Sequence, residues 1–226
     1  RNICTHVGNY PPIHEKSILK FRFLVQLGRL FTKKCICCSD YIMKACHNYF
    51  YLPNKDLCRV YNCCDLNRFN YLKNKIDLKP YKTINLGMVA RLEKHKDHVT
   101  LIKSIDEMNK IGLKVILSII GDGSKRKELE QLTIDLGLES MIKFLGASRD
   151  IPKILSKLDI FVFSAKPDEG FGIALAEAMV AGIPILASNV GSCLEILDNG
   201  KYGKFFKKGD YKDLALKVLE MTQDSK

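Results

Sequence analysis

The chain lacks any long apolar segment, so we expect that no helix of this chain crosses a bilayer. No apolar run reaches the ~18 residues that a membrane-spanning helix needs. No secretory signal peptide is visible, and because the first residue is Arg1 rather than Met, we expect a fragment or a trimmed chain. With 46% hydrophobic and 27% charged residues, the composition is typical of a globular protein with an ample core.

A dinucleotide-binding fingerprint is also missing. Gly121 and Gly123 supply the first two glycines of G-x-G-x-x-G, but the third position is occupied by Arg126. This departure argues against an NAD-dependent enzyme. No internal repeat of solenoid length and no pyridoxal phosphate motif is present, and the missing motif argues against a sugar phosphorylase.

Metal-binding motifs are scarce although cysteine is not. Eight of the nine cysteines precede residue 65, and Cys35 and Cys38 have C-x-x-C spacing. A zinc site normally requires a second spaced pair, which the adjacent Cys63 and Cys64 do not provide. We therefore expect reduced cysteines and no metal. His95 and His98 are interpreted as exposed loop residues, since no acidic or cysteine partner has suitable spacing.

The net charge is +11, which favours acidic partners such as nucleotide phosphates or anionic lipid headgroups. The lysines are scattered and no nucleic-acid motif accompanies them, so we expect no nucleic-acid partner. A basic amphipathic helix is predicted near residues 15–34. It can cover a sheet or lie on a membrane surface, and these two interpretations are compatible.

Strands and helices alternate from Lys82 onward, which predicts an α/β fold with a doubly wound parallel sheet. The expected strands are Ile84–Val89, Lys114–Ile120, Ile142–Phe144, Ile160–Phe163, Pro184–Ala187 and Gly203–Phe206. The expected helices are Asp97–Ile111, Ser124–Leu136, Ile151–Leu158, Ile173–Ala181 and Tyr211–Met221. We assign residues 79–226 to this domain and residues 1–78 to the end of a preceding one.

The first unit is predicted to be a smaller α/β segment. Strands are expected at 2–5, Lys34–Cys38 and Leu57–Tyr61, with one helix over 15–32 and a second that Ser39-Asp40 opens as N-cap. The polar, lysine-rich residues 66–82 are predicted to form the linker between the domains.

The stretch from Asp168 to Met179 has the strongest chemical pattern. Glu169, Gly170 and Gly172 lie where an apolar strand meets a helix N-terminus, which provides free amides and the positive end of a helix dipole for a phosphate. The two glycines allow a ligand to approach the backbone closely. Glu177 follows one helical turn later, so two carboxylates can bind hydroxyl groups beside an anion. A sugar nucleotide has this combination of groups.

This stretch resembles the E-x7-E motif of retaining glycosyltransferases with the GT-B fold, most closely family 4. Glu169 and Glu177 match its two glutamates, and the similarity continues to Ser188. The resemblance implies that the amides of residues 170–173, which include Phe171 and Ile173, hold phosphate and sugar. It also implies that Glu169 binds sugar hydroxyls and that Glu177 binds ribose.

Other segments extend the resemblance to most of the chain. Arg91 and Lys96 match the family's G-R-L-x-x-x-K pattern, and the resemblance implies that they stabilise the leaving diphosphate. The Gly121–Gly123 turn and Phe144-Leu145-Gly146 resemble segments that border the nucleotide. Residues 60–65 resemble V-x-N-G-V-D, although Cys63 replaces its glycine. His6, expected on a loop after the first strand, matches an active-site histidine.

The sequence thus resembles a family 4 glycosyltransferase lacking most of its N-terminal domain. Such an enzyme transfers a hexose with retention from a UDP-sugar or GDP-sugar, with UDP favoured, to a saccharide or lipid-linked hydroxyl acceptor. It would act in cell-surface polysaccharide or glycolipid synthesis, in the cytoplasm or peripherally on its membrane. No D-x-D sequence occurs, and no metal cofactor is expected. A GT-B-type sugar-nucleotide epimerase and an inactive nucleotide-binding remnant remain alternatives.

Overall fold

The computed structural model describes residues 3–11, 18–69 and 83–223, and within them the chain forms two parallel sheets. The strands are β1 Cys4–Val7, β2 Lys34–Cys37, β3 Leu57–Arg59, β4 Ile84–Val89, β5 Val115–Ile120, β6 Ile142–Gly146, β7 Ile160–Phe163, β8 Ile185–Ser188 and β9 Lys204–Phe206. The helices are α1 Ile18–Gly28, α2 Asp40–Phe50, α3 His98–Lys110, α4 Arg126–Asp135, α5 Ile151–Leu155, α6 Ile173–Val180, α7 Gly191–Ile196 and α8 Tyr211–Gln223. None of the described helices combines the length and apolarity that crossing a bilayer requires.

The larger sheet has the order β6-β5-β4-β7-β8-β9, with every neighbouring pair parallel. The chain builds outward from β4 through β5 to β6, then returns to the other side of β4 and continues from β7 to β9. The predicted doubly wound α/β sheet is therefore confirmed. The strand order reverses between β4 and β7, which is where such sheets open a crevice for ligands.

Each face of this sheet is covered by helices, because successive side chains of a strand point to opposite faces. In β7, Ile160 and Val162 pack with the core beneath α3, α4 and α8, whereas Phe161 and Phe163 pack against α5, α6 and α7. A glycine in β4, Gly87, faces Leu158, where a Cβ would lie only 2.4 Å from a leucine methyl group. Apolar runs on both faces explain why these strands were recognisable.

The smaller sheet, β1-β2-β3, carries α1 and α2. Ser39 caps α2, since its Oγ accepts a hydrogen bond from the Ile42 amide at 3.2 Å, as predicted. None of the residues of α1 is buried, and Leu19 and Phe23 are 70% and 68% exposed. One face of this smaller layer therefore presents apolar surface.

The two sheets meet through the N-terminus of α2. The carboxylate of Glu195 accepts hydrogen bonds from the amides of Asp40 and Tyr41, both at 2.7 Å. The hydroxyl of Ser39 donates to the carbonyl oxygen of Gly170 at 2.8 Å, and this bond is buried. The helix dipole favours a carboxylate at this end of α2. These contacts join the first unit to α7 and to the loop before α6.

Several sequence predictions need correction. His6 lies inside β1, not on the loop after it, because the parallel pairing of His6 with Ile36 extends the strand to Val7. His98, which was predicted to be an exposed loop residue, is the first residue of α3 and is only 1% exposed. Helix α7 was missed because it is short and no side chain caps it.

The predicted linker and the domain boundary can be described only in part. Residues Leu66–Phe69 form a 3-10 helix whose Phe69 packs into the core, so the segment begins as ordered structure. The boundary between residues 78 and 79 and the rest of the linker lie outside the described residues. Cys63, which replaces a glycine of the V-x-N-G-V-D pattern, does not have a positive φ, so its turn is not strained.

Candidate functional site

A cleft of about 570 Å³ opens at the carboxyl ends of the strands of the larger sheet. The loops after β4, β5, β6 and β7 and the start of α6 line one side of it. Gly8, Asn9 and Asn62 of the first unit line the other side. This position matches the reversal of strand order between β4 and β7, so the fold itself places the cleft.

Two loops that line the cleft are joined by backbone hydrogen bonds. The amide of Asp97 donates to the carbonyl of Ser164 at 3.0 Å, and the amide of Lys166 donates to that of His95 at 3.2 Å. Lys96 and Ala165 form an isolated antiparallel bridge between these bonds. The loop after β4 and the loop after β7 therefore have a fixed relative position.

Lys96 and Glu169 form a buried ion pair at this junction. The ammonium Nζ of Lys96 donates to Oε2 of Glu169, and the two side chains are only 10% and 8% exposed. The Lys96 ammonium also lies 4.7 Å from the centre of the Phe163 ring, within the range of a cation–π interaction. A pair so shielded from water has an electrostatic interaction stronger than one on the surface.

Arg91 lies on the same loop but is exposed, and it lines the cleft without an ion-pair partner among the described residues. Its guanidinium can therefore receive an anion from solvent. His95, predicted to be an exposed loop residue, is partly buried and lines the cleft. Burial lowers the pKa of His95, and the neighbouring Lys96 lowers it further, which favours the neutral imidazole.

The N-terminus of α6 supplies backbone donors. Gly172 is its N-cap, with φ 80° and ψ 69°, and no side chain caps the helix. The first amides of a helix have no intrahelical partner, so the amides near Ile173 face the cleft with the positive end of the helix dipole. Gly172, Ile173 and Ala174 all line the cleft, and this is a geometry that suits a phosphate.

Three of the predicted site glycines are required by close contacts with protein backbone. A Cβ on Gly170 would lie 1.7 Å from the carbonyl oxygen of Gly8, so this glycine admits the backbone of the first unit. A Cβ on Gly121 would lie 1.9 Å from the Ala90 carbonyl oxygen, and a Cβ on Gly123 would lie 2.6 Å from the Leu92 carbonyl oxygen. The close approach that these three residues permit is therefore to protein backbone.

The structure brings together seven of the predicted residues in the lining of the cleft: Arg91, Lys96, Gly121, Glu169, Phe171, Gly172 and Ile173. The remaining four, His6, Gly123, Gly170 and Glu177, are not among the lining residues. His6 is exposed on β1, two residues before Gly8. The roles proposed for all eleven residues remain predictions.

Glu177 lies one turn into α6, and its side chain is 12% exposed. Its carboxylate is 3.9 Å from a guanidinium nitrogen of Arg68, a residue of the segment predicted to be a linker. Burial raises the pKa of Glu177, and the charge of Arg68 opposes that rise. Arg68 is a neighbour that the E-x7-E spacing could not predict.

Sequence reasoning missed other residues that line the cleft, notably Asn9, Asn62 and Ser148. Asn62 belongs to the segment resembling V-x-N-G-V-D, which was predicted to close the first unit. That resemblance was the available signal for Asn62. Asn9 and Ser148 lie on loops of ordinary composition and had no comparable signal.

Comparison with known proteins gives one family. The chain matches the family described as "Glycosyl transferases group 1" over residues 72–226. N-acetyl-alpha-D-glucosaminyl L-malate synthase of Bacillus anthracis is 26% identical over 178 residues, covering 76% of this chain and 46% of that protein. The UDP-Gal:alpha-D-GlcNAc-diphosphoundecaprenol alpha-1,3-galactosyltransferase of Escherichia coli is 28% identical over 222 residues, covering 93% and 57%. The chain spans about half the length of the curated relatives it matches.

Solved structures agree on the architecture. Anabaena HepE in complex with UDP-glucose superposes with a TM-score of 0.84 at 24% identity, covering 100% of this chain and 64% of that one. TarM superposes with a TM-score of 0.79 at 17% identity, covering 99% and 44%. These likenesses show the GT-B glycosyltransferase fold that the sequence predicted.

Proposed function

Because the chain belongs to the glycosyl transferases group 1 family, we propose that it forms the donor-binding part of a retaining, family 4 hexosyltransferase. The donor is a nucleotide diphosphate sugar, with UDP favoured over GDP, and the acceptor is a saccharide or lipid-linked hydroxyl. The product belongs to cell-surface polysaccharide or glycolipid synthesis. UDP is favoured because HepE is described with UDP-glucose and the E. coli relative is named for UDP-Gal.

The observation that carries the proposal is the convergence of Arg91, Lys96 and the uncapped N-terminus of α6 on one cleft. In glycosyl transfer, the bond from the anomeric carbon to the diphosphate oxygen breaks, and that oxygen gains negative charge. The acceptor oxygen bonds to the anomeric carbon on the same face and gives up its proton, which the leaving diphosphate can accept. The two cations Arg91 and Lys96 and a helix dipole would stabilise the leaving diphosphate without a bound metal.

The buried pair of Lys96 and Glu169 gives the site a defined state before the donor arrives. Glu169 neutralises the ammonium in a place where an unpaired charge would be costly. When a diphosphate binds, Lys96 gains a second anionic partner and Glu169 becomes available to the sugar hydroxyls. We further assign the ribose to Glu177 and the acceptor side of the sugar to His6.

We also propose that the enzyme acts at the cytoplasmic face of a membrane. Helix α1 exposes Leu19, Phe23 and Leu27 beside the exposed Lys20. Exposed apolar side chains with neighbouring cations suit an anionic lipid surface. Co-sedimentation with vesicles containing anionic lipid should fall when Phe23 is changed to Ser. Equal sedimentation of the wild type with neutral and anionic vesicles would contradict the electrostatic part of this assignment.

The central experiment measures UDP binding by calorimetry and hexose transfer in a reaction supplied with UDP-glucose. Arg91→Ala and Lys96→Ala are each expected to weaken UDP binding at least tenfold, since each removes a charge that lines the cleft. Lys94→Ala is the matched control, because Lys94 is exposed on the same loop and does not line the cleft. Unchanged UDP affinity in both cleft variants would refute the proposal.

Two product analyses separate the alternatives. An epimerase would convert UDP-glucose into its epimer without releasing UDP, whereas a transferase releases UDP only when an acceptor is present. For residues 1–226 alone we expect UDP binding with poor transfer. Substantial transfer by this chain alone would contradict that expectation and exclude the inactive remnant.

A further inference from the structure

Three cysteines that have no regular ligand spacing converge beneath α2. The sulfur atoms of Cys35, Cys37 and Cys46 all lie within 4.8 Å of one another. They form the one such cluster of His, Cys, Asp and Glu groups found within residues 3–11, 18–69 and 83–223. Cys38, which the C-x-x-C spacing paired with Cys35, instead has its sulfur 3.5 Å from the carbonyl oxygen of Gly8.

The local fold explains this convergence. Cys35 and Cys37 are two residues apart on β2 and therefore point to the same face of the small sheet. Helix α2 begins at Asp40 directly after this strand, and Cys46 lies in its second turn. The helix crosses back over the strand and brings the third thiol to the other two.

The spacing of the sulfurs is compatible with one metal ion. A thiolate sulfur binds a d10 ion at about 2.3 Å, which places three sulfurs around one ion roughly 3.8–4.0 Å apart. Only modest side-chain movement separates the present arrangement from that geometry. Cys37 and Cys46 are fully buried, so protein atoms hold them in place.

The site has an entrance and a favourable charge environment. Cys35 is only partly buried and lines a mainly apolar cavity of about 230 Å³ between α1 and the small sheet. Lys33 and Lys34 also line this cavity, and their charges can offset part of the negative charge of a metal–thiolate group. Arg29, a third lining cation, is already paired with Asp56, which lines the cavity as well.

We propose that Cys35, Cys37 and Cys46 form a three-sulfur site for a thiophilic d10 metal ion, with copper(I) as the best match. Structural zinc sites use four ligands, whereas soft thiolates select copper(I), which accepts three. As each Cu–S bond forms, the corresponding thiol releases its proton, so the affinity rises with pH. The site shares no lining residue with the nucleotide cleft, and the ion would join β2 to α2.

The test is an anaerobic titration of the reduced full chain with copper(I) against a chelator of known affinity. We expect one ion per chain and a loss of affinity of at least tenfold in Cys46→Ser. Cys58→Ser is the matched control, since Cys58 is exposed on β3 and lies outside the cluster. It should retain wild-type affinity, and both variants should retain UDP binding. No binding above the chelator, or equal losses in both variants, would overturn the proposal.

A second measurement uses only the wild type, in case Cys46→Ser fails to fold. Alkylation followed by peptide mass spectrometry reports each thiol separately. Copper(I) should slow alkylation of the partly buried Cys35 at least fivefold and leave exposed Cys58 unchanged. Equal rates for Cys35 with and without copper(I) would show that the three cysteines only pack as small apolar side chains.

Discussion

Gly170→Ala is expected to destabilise the protein and Gly8→Ala is not, although the two glycines face each other across one contact. A Cβ on Gly170 would lie 1.7 Å from the carbonyl oxygen of Gly8 and 2.7 Å from its carbonyl carbon. The two backbones would have to separate by about 1.3 Å to reach the 3.0 Å that real Cβ atoms respect. A Cβ on Gly8 would meet only the ring of His6, at 3.4 Å, which is ordinary contact.

The magnitude follows from what that separation disturbs. Overpacking a close contact costs about 1–3 kcal/mol. The same movement stretches the buried 2.8 Å hydrogen bond from Ser39 to the Gly170 carbonyl, worth about 1 kcal/mol. Gly170→Ala should therefore lower the free energy of unfolding by about 2–4 kcal/mol. Because Glu169 adjoins the displaced residue, UDP affinity should fall by about fivefold or more.

Urea unfolding followed by circular dichroism measures the stability, since the chain has no tryptophan for fluorescence. Calorimetry with UDP measures the cleft. Gly8→Ala should stay within about 0.5 kcal/mol of the wild type in the same assay. If Gly170→Ala were as stable as Gly8→Ala and bound UDP equally well, the contact between the two sheets would not exist in solution as described.

Three further predictions concern buried groups and backbone strain. Burial lowers the pKa of His98 from 6.5 to about 4, because the neutral imidazole is favoured in the folded state. The contribution of His98 to the free energy of unfolding is therefore complete above pH 6.5 and is lost as the pH falls toward 4. The loss is about 3 kcal/mol, so the free energy of unfolding from urea titrations should depend less on pH in His98→Leu than in the wild type. An equal dependence on pH in both proteins would contradict this. Burial raises the pKa of Glu177 above 4.5, so the variant Glu177→Gln should melt at a higher temperature than the wild type at pH 7. The gap between the two should close as the pH falls toward 4.5, and a gap independent of pH would argue against burial as the cause. Gly182 has φ 70° and open space around it, so Gly182→Ala should lower the free energy of unfolding only by the left-handed strain of about 1–2 kcal/mol. Gly172 has φ 80°, and Gly172→Ala also places a Cβ 2.8 Å from Phe163, so it should lower that free energy by more. Equal losses in urea unfolding would contradict the packing argument.

The larger sheet was predictable because its signals are local. Ile160–Phe163 is apolar on both faces, and Gly182 and Pro184 mark the end of one helix before the next strand. The E-x7-E stretch was equally legible, since its glutamates and glycines lie within one strand-to-helix junction. The positions of Lys96 and Glu169 in the cleft followed from the rule that ligands bind at the carboxyl ends of parallel strands.

What could not be predicted depends on contacts between distant parts of the chain. The reason for glycine at position 170 is the backbone of Gly8, more than 160 residues earlier. Arg68 reaches Glu177 from a segment whose composition indicated only a linker. The cysteine cluster uses positions two and nine residues apart on a strand and a helix, and a search for paired C-x-x-C ligands could not detect that convergence.

The arrangement of Lys96 and Glu169 connects the stability of the fold with its proposed use. A positive cleft without ligand would hold an unpaired ammonium at 10% exposure, which costs several kcal/mol unless a carboxylate accompanies it. Glu169 supplies that carboxylate from the loop after β7, and the backbone bonds between the two loops keep the pair aligned. Arg91 needs no such partner because it remains exposed to water. The cleft thus combines one cation that is neutralised internally with one that is open to solvent. Under the proposed function, an incoming diphosphate would meet Arg91 first and reach Lys96 only within the cleft.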